Sequence, residues 1–178
     1  MPELPARIER IVLVGLMGSG KSSVGARLAR DLGWRLVDLD REIETASGQT
    51  IPEIFKSGEE TFRRLEQQLT AELASTPRMV FTPGGGWITC AETVSLLPER
   101  SAVFWLRVTP EEAVRRCAGQ TAQVRPLLTG ADHGLARARE LARDRNPRYE
   151  ALGVPIDTND RSVGEIAAEI LGLIRERV

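Results

Sequence analysis

The sequence predicts an α/β fold of three layers (α/β/α), with helices on both faces of a central five-stranded parallel sheet. Five short apolar or β-branched runs, at 10–14, 35–39, 79–82, 102–107 and 154–157, alternate with helical patterns, as parallel strands joined by crossover helices do. A glycine-rich turn, GLMGSGKS at Gly15–Ser22, joins the first run directly to a helical pattern. The length of 178 residues and a hydrophobic content of 42% suit a single domain, 1–178, with one core.

Taken in order, the strand at 10–14 leads through the turn into a helix at 20–32, and the strand at 35–39 ends in the acidic stretch LVDLDRE. Residues 41–58 break the rhythm as a short-helix insert marked by Gly48, Pro52 and Gly58, before a helix at 59–75. The strand at 79–82 runs into a glycine triplet, Gly84–Gly86, followed by Trp87. After the strand at 102–107 come helices at 110–117 and 132–144, separated by a polar loop at 118–131 built around TAQVRPLLTG. Loops of that length in compact α/β domains tend to be lids or binding segments. The second of these helices is expected to stop before Pro147, which would put Arg145 and Arg148 at its end, where cations suit the helix dipole. The strand at 154–157 and a helix at 162–176, with Ile166, Ile170, Leu173 and Ile174 at helical spacing, close the chain.

A formal net charge of -1 supplies no long-range field for nucleic acid or an anionic membrane, so an anion must be held by local clusters, which favours a small anionic ligand. Cys90 and Cys117 are far apart and form no CxxC, the pattern of a reduced, cytoplasmic protein. The stretch MPELPARIERIVLVG fits neither a signal peptide nor a membrane span. No long apolar stripe is left over for self-association, so a monomer is expected. The single histidine, His133, excludes His-pair zinc sites and leaves acid–base work to carboxylates. Lysine is rare: only Lys21 and Lys56 stand among 24 basic residues.

Lys21 lies in GLMGSGKS, which fits G-x-x-x-x-G-K-[ST] in the strand–loop–helix context that the motif needs to bind nucleotide phosphates. The glycines let successive N–H groups curl around a phosphate at a helix N-terminus. Lys21 would reach the β- and γ-phosphates, and the Ser22 hydroxyl would ligate Mg²⁺. Asp38 and Asp40, two apart at a strand end, would project to one side about 6–7 Å apart, one facing the metal and the other the acceptor. Asp40 as a simple helix cap is the competing reading. Arg63 and Glu66 share a helix face at i, i+3, either as an exposed ion pair or as a guanidinium held ready for a carboxylate. Arg125 is fixed by Pro126 in an otherwise uncharged loop, a poor place for a merely solubilising charge. With the phosphate loop already assigned to 15–22, the glycine triplet reads as a platform for the acceptor, and Trp87 either packs beneath it as core or lines the pocket mouth.

Together GLMGSGKS, DLDREIE, GEETFRRLE, the strand followed by GGG, VRPLL and RNPRYEALGVPIDT, in that order along nearly the whole chain, resemble the shikimate kinases, small P-loop kinases related in fold to the nucleoside monophosphate kinases. The resemblance implies transfer of the γ-phosphoryl group of MgATP to the 3-hydroxyl of shikimate, in aromatic amino-acid biosynthesis, with a substrate-binding insert at about 40–75 and a lid at about 118–131. It implies catalytic roles for Lys21, Asp40 and Arg125, and ATP contacts from Gly18, Ser19, Gly20, Lys21, Ser22, Ser23, Arg116, Arg125 and Arg161. Shikimate contacts would come from Asp40, Arg63, Gly84, Gly85, Gly86 and Arg145, with Glu66 steadying the substrate arginine and Ser22 and Asp38 serving the metal. Two departures stand out: Trp87, where a small residue usually follows the triplet, and Val163, where the adenine loop often has proline. Kinases for another hydroxy acid such as gluconate, and a regulatory relative that binds nucleotide without catalysis, are the alternatives.

Overall fold

Five strands, β1 (Arg10–Val14), β2 (Arg35–Asp38), β3 (Met79–Thr82), β4 (Ser101–Arg107) and β5 (Val154–Asp157), form one sheet in the order β2-β3-β1-β4-β5, every neighbouring pair parallel. The computed structural model describes residues 2–118 and 131–178, with side chains throughout except at 131–133. The strands fall within one residue of the sequence reading, and β1, β3 and most of β4 are apolar runs buried on both faces. Alternate residues feed two cores. Val12, Val14, Val103 and Trp105 face one, while Ile11, Leu13, Phe104 and Leu106 face the other.

The second core is closed by α1 (Lys21–Leu32) and α8 (Val163–Ile174), which bury Val24 and Leu28 from one helix and Ile166, Ile170 and Ile174 from the other. The first core is closed by the insert helices α2 (Leu39–Ser47), α3 (Ile51–Lys56) and α4 (Glu59–Leu73), by α5 (Ala91–Ser95), and by α7 (Ala131–Leu152), which buries Leu141, Ala142 and Tyr149. The sixth helix, α6 (Pro110–Ala118), buries Ala113 in the same core.

Two expectations are corrected. The second strand stops at Asp38, and Asp40 lies in the first turn of α2, so the two carboxylates are not strand neighbours. The backbone turns helical because Asp38 caps α2, its side chain accepting from the Arg41 N–H, and because Leu39 is drawn fully into the core. The helix expected to end before Pro147 continues to Leu152, leaving no basic residue in its last turn. Proline there removes one backbone hydrogen bond, a cost of about 3 kcal/mol in an isolated helix. Burial of Tyr149, stacked against Trp105 at 6.1 Å, offsets it.

The parallel arrangement puts the carboxyl ends of β1, β2 and β3 along one edge. The loop after β1, the start of α2 and the glycine triplet after β3 therefore meet there, in the crevice where open α/β sheets bind ligands.

Candidate active site

The phosphate loop is held open by its glycines. Gly18 and Gly20 take φ of 75° and 96°, and a Cβ on Gly18 would stand 2.5 Å from the Ala113 carbonyl oxygen. Gly20 is the N-cap of α1, and the first turn of that helix carries no acidic residue of its own, which suits an anion at the helix N-terminus. Lys21 Nζ donates to the carbonyls of Gly15 at 2.8 Å and Leu16 at 3.0 Å, which fixes the ammonium along the loop. Ser19 is fully buried, whereas Ser22 and Ser23 are exposed. The Ser22 hydroxyl donates to Asp38 Oδ2 at 2.9 Å, so the expected metal ligand and the carboxylate that the resemblance places in the metal's outer shell lie side by side.

The glycine triplet is the meeting point of the remaining groups. None of Gly84, Gly85 and Gly86 has a positive φ, so they are not required for backbone shape. Gly84 and Gly86 instead allow close approach. A Cβ on Gly84 would stand 3.0 Å from Asp40 Oδ1, and one on Gly86 only 2.6 Å from an Arg63 guanidinium nitrogen. A Cβ on Gly85 would touch Arg145 Nη1 at 3.5 Å and the backbone of the phosphate loop at Gly15 and Met17. Asp40, Arg63, Arg145 and the loop thus converge on one short stretch of backbone.

Arg63 is locked on α4 by Glu59, 2.9 Å from Nη2, and by Glu66, 2.6 Å from Nη1. The Glu66 carboxyl is almost wholly buried, and burial pushes its pKa up to about 7 while the Arg63 charge pulls it down and the Asp40 charge raises it further. The native state therefore holds the Glu66 proton more tightly than the unfolded chain, whose ordinary value is 4.5. Between those two values folding stability falls as pH rises, by at most about 3 kcal/mol from this residue. Chemical denaturation of wild type and Glu66→Gln from pH 5 to pH 8 checks this: the wild-type curve should drop relative to the variant, and parallel curves would refute it.

Two other candidate residues lie by the segment after β5. Arg116 donates from Nε to Glu112 at 2.6 Å and from Nη1 to the Gly18 carbonyl at 3.4 Å, and Nη2 reaches the Thr158 carbonyl, so it ties the phosphate loop to the segment after β5. Arg161 donates to the Asp157 carbonyl at 2.9 Å and pairs with Glu169 at 2.6 Å. Arg125 and nearly all of the expected lid lie outside the described residues.

A family model described as shikimate kinase matches residues 17–175. The chain belongs to the shikimate kinase family. It is 44% identical to the shikimate kinase of Symbiobacterium thermophilum, over 94% of this chain and 97% of that one, and 42% identical to that of Moorella thermoacetica, over 90% and 91%. Among solved structures, the shikimate kinase of Acinetobacter baumannii in complex with shikimate superposes with a TM-score of 0.87 at 36% identity, covering 96% of this chain and 97% of that one. A gluconokinase from Sinorhizobium meliloti reaches a TM-score of 0.63 at 21% identity, covering 96% of this chain and 95% of that one, and shares the fold.

In this member of the shikimate kinase family, two side chains that shape the site are given no role by sequence reasoning, although Tyr149 lies within RNPRYEALGVPIDT. The Tyr149 hydroxyl donates to the Gly85 carbonyl at 2.6 Å, and Thr70 stands behind Glu66 on α4. A signal for the first was present: Tyr149 is the chain's only tyrosine, four residues after Arg145 and so on the same helix face. Trp87 is fully buried, edge-on to Phe81 at 6.1 Å, which settles its placement as core.

Proposed function

We propose that the chain transfers the γ-phosphoryl group of ATP to the 3-hydroxyl of shikimate, acting as a monomer in the cytoplasm. The observation that carries the assignment is the convergence on Gly84–Gly86 of one carboxylate, two guanidinium groups and a phosphate loop. Asp40 orients the hydroxyl and takes its proton, the freed oxygen bonds to phosphorus, and the bond to ADP breaks. Arg63 and Arg145 grip the substrate carboxylate, where a planar guanidinium offers two parallel N–H donors. Lys21 and Arg125 neutralise charge on the transferring group, whose loose transition state makes positioning matter more than base strength.

Among the described residues no group of three or more His, Cys, Asp or Glu side chains could hold a metal by itself. That suits Mg²⁺, which takes one or two protein oxygens and completes its shell with phosphates and water. The Ser22 hydroxyl would ligate it, with the Asp38 carboxylate beside it in the outer shell. Magnesium, when bound, supplies charge neutralisation on the β- and γ-phosphate oxygens. In support of the remaining assignments, no helix among the described residues is long and apolar enough to cross a membrane, and the large exposed hydrophobics Phe55, Val163, Leu173 and Val178 are divided between α3, the two ends of α8 and the C-terminus.

ADP release measured against a panel of hydroxy acids tests the reading. Shikimate should be turned over with MgATP while gluconate gives background only. Turnover of gluconate in preference would assign a different acceptor, and binding of ATP without turnover of any acceptor would assign a regulatory role.

A further inference from the structure

The indole directly behind the glycine triplet is more than filling. Trp87 Nε1 donates to Thr70 Oγ1 at 3.2 Å, and the Thr70 hydroxyl donates in turn to the Glu66 carbonyl at 2.7 Å. The polarity of this chain is fixed, because an indole can only donate and the single hydroxyl proton is already committed to the carbonyl. Arg63, Glu66 and Thr70 follow one another at i, i+3 and i+7, so they share one face of α4. Glu66 holds Arg63 at 2.6 Å, and the Arg63 guanidinium lies against Gly86, the residue before Trp87. The contacts therefore close a ring: Gly86, Trp87, Thr70, Glu66, Arg63 and back to Gly86. A purely apolar role would need no tryptophan here, since Phe would fill the core without a buried N–H to satisfy.

We propose that Trp87 and Thr70 are positioning residues that set the distance between the glycine loop and α4, and through it the pose in which Arg63 grips the substrate. The inference rests on the reading of Arg63 as a carboxylate ligand. The polar bonds of the ring run between α4 and the glycine loop, so its loss should be felt by the acceptor more than by ATP.

Steady-state kinetics on four variants test it. Trp87→Phe keeps the ring and drops the donor, while Thr70→Val keeps the branched shape and drops the hydroxyl. Each should raise KM for shikimate roughly three- to ten-fold, the scale of one buried hydrogen bond, with KM for ATP within about two-fold of wild type. Thr70→Ser, which retains the hydroxyl, should restore the wild-type value. The double variant Trp87→Phe/Thr70→Val should be no worse than either single one, because both remove the same bond. Arg63→Lys, measured in parallel, separates the inference from the reading beneath it. If Arg63→Lys raises shikimate KM but Trp87→Phe and Thr70→Val do not, the positioning role is wrong and the Arg63 assignment stands. If Arg63→Lys also leaves shikimate KM unchanged, both are overturned. A fall in Tm in either single variant with both KM values unaltered reduces the bond to core stability and refutes the proposal. Should Trp87→Phe fail to fold, the Thr70→Val and Thr70→Ser pair decides alone.

Discussion

Lys21→Ala is expected to lower turnover with shikimate at least 10²- to 10³-fold, the scale on which a preorganised charge stabilises a transition state, and to weaken ATP binding as well. The Gly15 and Leu16 carbonyls hold the ammonium along the loop. No other lysine can substitute, since Lys56 ends α3 in the insert, and an arginine cannot, because its planar head is not a compact point charge. The chain's own composition makes the point: among 24 basic residues it uses lysine only at 21 and 56. Lys21 opens α1 and is not among the residues that the helix buries in the core, so Tm should stay close to wild type. ADP release and direct ATP titration, run beside a melt, read all three quantities. Full turnover in the folded variant would refute the phosphate-loop assignment.

The places where sequence reasoning succeeded share a physical cause. The central strands β1, β3 and β4 are apolar runs buried almost throughout, so composition and position leave few alternatives there. The phosphate loop was legible because its chemistry demands glycines at φ values that other residues avoid. The misreadings arose where tertiary contacts outvote local signals. The strand expected at 35–39, with Asp38 and Asp40 projecting to one side, ends at Asp38, because the Asp38 cap and the burial of Leu39 start α2 there. Pro147 reads as a stop, yet Tyr149 and its contact with Gly85 carry α7 past it. The glycine triplet was legible as a site, but its reason was only half visible. The sequence suggested room for a ligand, whereas at Gly84 and Gly86 the nearest atoms are the protein's own Asp40 and Arg63. Which side chains press on a bare backbone depends on residues tens of positions away, and no local pattern encodes that. The Trp87–Thr70 bond is of the same kind, joining residues 17 apart.

Asp40→Asn should lower kcat by roughly 10²- to 10⁴-fold, the contribution typical of a positioned general base, while KM for shikimate changes only a few-fold. The substitution keeps the shape and removes the charge and the proton acceptor. Its placement favours this separation of effects. The residue sits in the first turn of α2, where negative charge suits the helix dipole, and the Gly84 backbone lies close against Oδ1. The capping that starts α2 comes from Asp38 instead, so Asp40 is not needed to begin the helix. A variant at Asp38 should therefore disturb both helix start and metal, whereas Asp40→Asn should fold normally and bind shikimate. Shikimate titration of the inactive variant checks binding, and single-turnover kinetics check the chemical step free of product release. If kcat stays near wild type, the acceptor proton leaves by another route and Asp40 serves only to orient the hydroxyl. If instead shikimate binding collapses with kcat, the carboxylate is a substrate ligand first, and the division of labour between Asp40 and the two arginines must be redrawn.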